Sequence, residues 1–252
     1  MLKDQRLMSK TIIIIPSRMA AQRLPGKPLL KLNNKTIITS VFKRAEKAGI
    51  GKVFVATEDE VIFQEVKKNN GNAILTQKEH KTGSDRIYEA LSTMNLDNID
   101  YVINLQGDEP LINPEDIRKL NSFVTFNNLD LGTLAANIDS HDKYDDNNIV
   151  KVKTLKNLKK DDFSLALDFN RSFGKNEKNV YHHVGIYQYK KKILKKFIEL
   201  KQSEKEKKFK LEQMRALEND IKIHVKLIEK APIGIDTRED YLDIKKIISY
   251  KS

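Results

Sequence analysis

The chain has 252 residues, 39% hydrophobic and 32% charged, which suits one large α/β domain with a well-solvated surface. It contains no cysteine, which excludes disulfides, thiolate metal sites and a cysteine nucleophile. No apolar run approaches the length of a membrane span, and the first residues lack the apolar core of a signal peptide, so we expect a cytoplasmic protein with no membrane partner.

The first half alternates short apolar runs with segments of helical periodicity, which is typical of βαβ units. We therefore expect an α/β fold with an open, mostly parallel twisted sheet and helices on both faces. The expected strands lie at 12–15, 52–56, 73–75 and 101–105. The expected helices cover 36–48 with a stop at Gly49, open at 57–59, follow an N-cap at Ser84 and start again at Pro114.

The second half has more strands and fewer helices. Strands are expected at 131–138, 149–154, 164–169, 183–189 and 221–228, with helices near 190–200, at 203–218 and from Arg238. We interpret the strand-rich part, roughly 131–190, as a smaller mixed-sheet layer that forms a dimer interface. No linker, repeat or low-complexity tract interrupts the chain, so residues 1–252 are expected to form a single domain.

Residues 12–29 read IIIIPSRMAAQRLPGKPL and combine a strand pattern with an irregular loop. Four consecutive isoleucines predict a strand buried on both faces. The prolines and the glycine that follow exclude regular structure, and the loop carries Arg18, Arg23 and Lys27 without any acid. A cationic loop at the carboxyl edge of a parallel sheet predicts an anion site, here for a nucleoside triphosphate. The alternative is a basic surface loop that binds nothing.

The two common glycine-rich phosphate loops are missing. In a Walker loop, Ser or Thr follows the Gly-Lys pair, whereas Gly26-Lys27 is followed by Pro28, and Ala21 occupies the position of the first glycine. No G-x-G-x-x-G follows a strand either. Side-chain cations and scattered backbone amides must therefore hold the triphosphate.

Two aspartates are placed to bind a divalent metal. Asp108 follows the strand at 101–105 in QGDEP, and Asp236 follows the strand at 221–228 in GIDTRED. Carboxylates just beyond the carboxyl ends of strands lie where open α/β sheets bind ligands, and Mg²⁺ takes one or two carboxylates plus phosphate oxygens. The alternative for each is an ordinary turn or helix N-cap.

The formal net charge of +11 raises the alternative of a nucleic-acid-binding module. Ten lysines but only three glutamates lie between residues 190 and 210, where helical surface is expected. The predicted ligand loops instead hold acids, in GDEP and GID, which would repel a polyanion. We therefore expect no nucleic-acid partner.

Taken together, these segments resemble the 3-deoxy-manno-octulosonate (Kdo) cytidylyltransferase family. The opening stretch, VATEDE, KTGSDRI and NLQGDEPLI appear in the family's order, followed by NNIVKV, HHVGIYQY, KLEQMRALEND, KIHV and GIDTREDY. The resemblance implies a fold like that of nucleotide-diphospho-sugar transferases, a homodimer, and transfer of CMP from CTP to Kdo with Mg²⁺ for lipopolysaccharide biosynthesis.

The resemblance also implies roles for individual residues. Those implied for CTP are Arg18, Arg23, Lys27, Thr82, Gly83, Ser84 and Arg86. Those implied for the sugar acid are Arg86, Gln106, Arg171, His183, Tyr187, Glu212 and Gln213. Asp108 and Asp236 are implied as metal ligands, and with Arg18 and Lys27 they form the implied catalytic set.

One segment departs from the family's pattern. Residues 168–181 read DFNRSFGKNEKNVY, whereas the family has Ser-Arg and a longer, proline-bearing loop there. This departure leaves the placement of Arg171 open, and with it the sugar acid. Besides Kdo, the alternatives are an 8-amino relative of Kdo and a sialic-type acid.

Overall fold

The computed structural model describes residues 10–20, 23–77, 80–94, 98–160, 162–174 and 176–249. Its strands are β1 (Thr11–Ser17), β2 (Lys31–Leu32), β3 (Lys35–Thr36), β4 (Val53–Thr57), β5 (Ala73–Leu75), β6 (Tyr101–Asn104), β7 (Leu131–Ala136), β8 (Lys151–Thr154), β9 (Phe163–Asn170), β10 (Val180–Lys190) and β11 (His224–Ile228). Its α-helices are α1 (Ile37–Lys47), α2 (Glu60–Lys68), α3 (Gly83–Thr93), α4 (Pro114–Phe126), α5 (His141–Asp145), α6 (Lys191–Glu199), α7 (Glu204–Phe209), α8 (Met214–Leu217) and α9 (Arg238–Ser249). None of these helices is long and apolar enough to span a bilayer.

The strands form a nine-stranded mixed sheet in the order β5-β4-β1-β6-β10-β7-β11-β9-β8, and β2 pairs with β3 separately. The strands β5, β4, β1 and β6 are parallel to one another, as predicted for the first half. From β10 onward most pairings are antiparallel, with β7 and β11 as a parallel pair. The α/β class is therefore confirmed. The mostly parallel pattern is limited to the first half, and the strands at 131–190 extend the same sheet.

The isoleucine run explains why β1 lies at the centre. Because side chains alternate across a strand, Ile12 and Ile14 enter one core cluster and Ile13 and Ile15 enter the other, all at 2% exposure or less. Helices α3 and α6 cover the first face, and α1, α2 and α4 cover the second. Burial of β1 on both faces, as predicted, fixes the position of the loop that follows it.

Several helix boundaries follow the sequence signals. Gly49 has a φ of +65° just after α1, and Pro114 occupies the first turn of α4. The expected N-cap at Ser84 is wrong: Thr82 caps α3 by a capping box with Asp85. The helix expected at 203–218 is two short helices, α7 and α8, because Lys210 adopts a left-handed conformation between them.

A return segment brings the end of the chain to the carboxyl edge of the central strands. After β11 the chain crosses back, and the Ile235 amide donates to the Asp108 carbonyl oxygen (2.9 Å). Ile235 and Ile244 are fully buried against Leu32 and Ile37 in a small third core cluster. This packing places Asp236 beside Asp108, although 128 positions separate them in the sequence.

Candidate active site

A cavity of about 890 Å³ opens at the carboxyl ends of β1 and β6 and at the start of α3. Its wall includes the predicted residues Arg18, Arg23, Lys27, Thr82, Gly83, Arg86, Gln106, Asp108, Arg171 and Asp236. The structure therefore brings together most of the predicted set. Ser84, His183, Tyr187, Glu212 and Gln213 are not part of this wall.

The cationic loop after β1 is held at both ends. The Met19 amide donates to the Asp59 carboxylate (2.7 Å), and the Gly26 amide donates to the Met19 carbonyl oxygen (3.2 Å). Gly26 has a φ of +70°, which favours glycine, and leads into a 3₁₀ turn at Lys27–Leu29. The adjacent Arg18 is exposed and has no hydrogen bond or ion pair to the described residues, so its charge remains available to a ligand.

Lys27 links the two distant aspartates. Its ammonium donates to Asp108 Oδ2 (2.9 Å) and to the Ile235 carbonyl oxygen (2.7 Å), and it lies 3.5 Å from Asp236 Oδ1. Arg23 pairs with the other oxygen of Asp236 at 3.0 Å. Two of the loop cations, Arg23 and Lys27, thus meet the two carboxylates in one cluster at the cavity wall, as the positions of the aspartates after strands predicted.

Glu109 lies next to this cluster but adds little negative charge at neutral pH. Burial raises its pKa to about 8, with further contributions from Asp108 and Asp236, and its Oε2 has no hydrogen-bond partner. Within the described ranges, no three His, Cys, Asp or Glu side chains are arranged to hold a metal by themselves. A cation bound here would therefore need oxygens from the substrate, which matches the preference of Mg²⁺ for few carboxylates plus phosphates.

The start of α3 supplies a second part of the wall, where Thr82 and Gly83 line the cavity. Arg86 is 4% exposed, forms an ion pair with Glu58 and donates to Thr76 Oγ1 (2.6 Å). Sequence reasoning gave no role to Glu58, although it directly follows β4 and lies at the same sheet edge as Asp108. The position of Glu58 directly after a strand could have identified it as a candidate site residue.

The opposite wall comes from the second half of the chain. Asn147, Asn148, Arg171 and Lys210 line it, and only Arg171 was predicted. The Arg171 guanidinium donates through Nη1 to the carbonyl oxygens of Asn147 (3.2 Å) and Asn148 (3.1 Å). The structure therefore places Arg171 at the cavity despite the shortened loop. The motif NNIVKV begins with Asn147 and Asn148 and could have identified them as candidate site residues.

The remaining predicted residues lie outside this wall, and all of them are buried except Glu212, which is half-buried. His183 bonds to Thr133 Oγ1 (3.1 Å) and packs edge-on against Phe169 (5.0 Å), while the Tyr187 hydroxyl has no partner. Glu212 lies within hydrogen-bonding reach of Ser84, and burial raises its pKa. Gln213 is 8% exposed and Ser84 is fully buried. Their roles towards CTP and the sugar acid stay predictions.

A bulge connects this buried group to the cavity. The pairing of β10 with β7 shifts register between Val184 and Tyr187, and a side chain at Gly185 would contact Gln106, a wall residue, at 3.6 Å. Bulges bend a strand and re-aim its side chains, often beside active sites. Tyr187 thus follows by two residues the glycine that lies against the wall residue Gln106.

Protonation of His183 should reduce stability in acid. Burial lowers its pKa from 6.5 to about 3, so between these values the unfolded chain binds a proton that the folded chain does not. Stability therefore falls as the pH decreases from 6.5 towards 3, by about 2 kcal/mol between pH 7 and pH 5 for this group. Urea unfolding at both pH values measures it. Between pH 7 and pH 5, the free energy of unfolding of His183→Gln should fall by about 2 kcal/mol less than that of wild type. Equal decreases in the two proteins would contradict the assignment of this pH dependence to His183.

Comparison with known proteins agrees with the arrangement of this site. Residues 12–223 match the family model described as cytidylyltransferase. The class of protein is therefore a CTP-dependent nucleotidyltransferase with an α/β fold.

The chain belongs to the 3-deoxy-manno-octulosonate cytidylyltransferase family. It is 40% identical to the enzyme of that name from Nitrobacter winogradskyi, over 96% of this chain and 95% of the relative. The one from Thermodesulfovibrio yellowstonii is 45% identical, over 91% and 94%. A solved structure of CMP:2-keto-3-deoxy-manno-octonic acid synthetase complexed with CTP aligns with a TM-score of 0.87 and 34% identity, covering 97% of this chain and all of that one.

Proposed function

We propose that this protein transfers CMP from CTP to Kdo, giving CMP-Kdo and pyrophosphate for lipopolysaccharide biosynthesis. The observation that carries the proposal is the cavity in which the Arg18–Lys27 loop faces Asp108 and Asp236, within a chain that aligns along 97% of its length with a synthetase bound to CTP. The sequence prediction of this activity agrees with the names of its curated relatives.

The loop cations are suited to hold the triphosphate. Arg18 is exposed at the cavity without an ion-pair partner in the described chain, and Arg23 is more than half exposed in its pair with Asp236. Guanidinium groups bind phosphate oxygens with two parallel hydrogen bonds, whereas an ammonium acts as a point charge. We assign Arg18 and Arg23 to the phosphates, and Lys27 to the negative charge that accumulates on the departing pyrophosphate.

We propose that Asp108 and Asp236 hold one Mg²⁺ together with the phosphates. The Lys27 ammonium lies 2.9 Å from Asp108 Oδ2 and 3.5 Å from Asp236 Oδ1, so the two carboxylates face one position that attracts a cation. Bound Mg²⁺ would supply electrostatic stabilisation of charge on the reacting phosphate and help to deprotonate the attacking hydroxyl.

The residues of the chain contribute mainly by positioning. The anomeric 2-hydroxyl of the sugar acid attacks the α-phosphorus in line and loses its proton to solvent, the bond from the α-phosphorus to the bridging oxygen of the β-phosphate breaks, and pyrophosphate leaves. Pre-arranged charges and alignment account for most of the barrier reduction in phosphoryl-type transfers, so a strong side-chain base is not required. Gln106 is anchored by its hydrogen bond to Asn104 Oδ1 (3.0 Å), and we assign it to the orientation of a substrate oxygen.

The sugar acid is assigned to the wall formed by Arg171, Asn147 and Asn148. A cationic side chain there suits the carboxylate that Kdo, 8-amino-Kdo and sialic-type acids share. The names of the curated relatives favour Kdo.

A homodimer is proposed from exposed apolar side chains on the strand-rich part of the sheet. Leu155 and Leu167 are 52% and 50% exposed there, and apolar surface of this kind is often covered in an assembly. Sedimentation velocity should give a mass of two chains, and Leu167→Lys should shift it towards one. A wild-type monomer at micromolar concentration would contradict the proposal.

The continuous nine-stranded sheet supports the proposal that the chain forms a single domain. We also propose that the protein lies in the cytoplasm.

Phosphorus NMR tests the reaction itself. With CTP, Kdo and Mg²⁺, the α-phosphorus signal should be replaced by that of a phosphodiester to the sugar while pyrophosphate appears in equal amount. No change is expected when Kdo is omitted. Release of inorganic phosphate from the γ position instead would overturn the proposed function.

A further inference from the structure

Lys151 is a charged residue at the start of a buried strand. It is 0% exposed, among the largest fully buried side chains of the protein. Its ammonium donates to the carbonyl oxygens of Asp146 (2.5 Å) and Arg171 (2.7 Å), and burial lowers its pKa. Because desolvating an ammonium is costly, these two bonds are what allows a lysine here.

The two acceptors belong to separate segments that meet at the cavity. Asp146 precedes the wall residues Asn147 and Asn148, while Arg171 follows β9 and is itself a wall residue. Arg171 also donates back to the carbonyl oxygens of both asparagines (3.2 and 3.1 Å). Two sets of hydrogen bonds thus join the segment at 146–148 to Arg171: those from the Lys151 ammonium to both segments, and those from the Arg171 guanidinium to Asn147 and Asn148. We call these two sets of hydrogen bonds the clasp.

The clasp determines where the Arg171 guanidinium points. Lys151 fixes the Arg171 backbone, and the Nη1 bonds fix one edge of the side chain. The other guanidinium nitrogens have no partner in the described structure, although Arg171 lines the cavity. An arginine held by one edge keeps its other donors free for a planar carboxylate.

We propose that Lys151 is a positioning residue that sets the sugar-acid wall through Arg171 without touching the substrate. This inference deepens the proposed function and rests on it. It assigns Lys151 to the binding of the sugar acid and not to CTP, whose assigned loop contacts lie around Lys27 at the opposite wall.

The variant Lys151→Met keeps the length of the side chain and removes its donors. We expect KM for Kdo to increase at least tenfold, about 1.4 kcal/mol, while KM for CTP changes less than twofold and kcat falls less than KM rises. Lys151→Gln, which retains a donor, should give an intermediate KM for Kdo. Steady-state pyrophosphate release, with each substrate varied in turn, measures all three parameters.

Lys153→Met is the matched control, because Lys153 lies two residues further along β8, on the same side of the strand, and pairs with Glu177 away from the cavity wall. It should leave both KM values unchanged. An increase in KM for Kdo of less than twofold in Lys151→Met, or an equal increase in both KM values, would overturn the inference.

Hydrogen exchange separates this inference from the proposed function. Lys151→Met should accelerate amide exchange at 146–149 and 171–174 relative to Lys153→Met, with or without turnover. If wild type does not use Kdo but exchange accelerates there, the proposed function fails and the clasp stands. If wild type is active and exchange is unchanged, the clasp fails alone.

Discussion

Replacing Asp108 with asparagine should lower kcat at least a hundredfold and leave the fold intact. The amide keeps the shape of the side chain but removes the charge that lies 2.9 Å from the Lys27 ammonium and that is assigned to Mg²⁺. Losing one pre-arranged electrostatic group at a reacting centre costs about 3 kcal/mol or more. Pyrophosphate release at saturating CTP, Kdo and Mg²⁺ measures the effect.

Asp100, at the opposite end of β6 from Asp108, offers a control. It directly precedes β6, whereas Asp108 lies beyond the opposite end, and its carboxylate accepts from the Lys10 amide (3.0 Å). Asp100→Asn should therefore keep near wild-type activity. A value of kcat for Asp108→Asn within tenfold of wild type would rule out the assigned role of Asp108.

Replacing Glu206 with alanine should destabilise the protein by about 3–5 kcal/mol. Glu206 and Arg215 are 4% and 2% exposed, and they form two hydrogen bonds of 2.8 and 2.6 Å. The Arg215 guanidinium also stacks on the Phe197 ring at 4.7 Å. Removing one partner of a buried ion pair leaves an uncompensated buried charge, which is the source of the large cost. Denaturant unfolding measures it.

Two variants test this explanation. Glu204→Ala removes an exposed carboxylate on the same helix that pairs with Lys207 at 3.0 Å, and it should cost less than about 1 kcal/mol. The double variant Glu206→Leu with Arg215→Met should recover much of the lost stability, because no unpaired charge remains. A cost below about 1 kcal/mol for Glu206→Ala would show that the pair is not coupled as the geometry indicates.

The parts of the fold that local patterns determine were predicted from the sequence. The isoleucine run requires burial on both faces, so β1 and the loop after it were identified correctly. Asp108 and Asp236 were expected together because both follow strands, and their common contact with Lys27 confirms that they meet. Positions relative to strand ends are local information, and a parallel sheet collects them at one edge.

Other features depend on contacts that no local pattern encodes. The antiparallel insertion of β10 between β6 and β7 joins residues far apart in sequence, so the second-half strands were predicted as a separate mixed-sheet layer and not as a continuation of the first sheet. In the sequence, Ser84 and Thr82 are equally good candidates for the N-cap of α3. Only the position at which the helix starts shows that Thr82 is the cap. The burial of Lys151 contradicts the usual exposure of lysine and became apparent only with the two segments that accept its hydrogen bonds.

The most direct test of the central claim is pyrophosphate release from CTP and Mg²⁺ with Kdo, 8-amino-Kdo and sialic acid compared at equal concentrations. The proposed function predicts the highest kcat/KM for Kdo and no release without a sugar acid. A higher kcat/KM for 8-amino-Kdo or sialic acid would contradict the assignment of Kdo. Absence of release with all three would contradict the assignment of CMP transfer to a sugar acid.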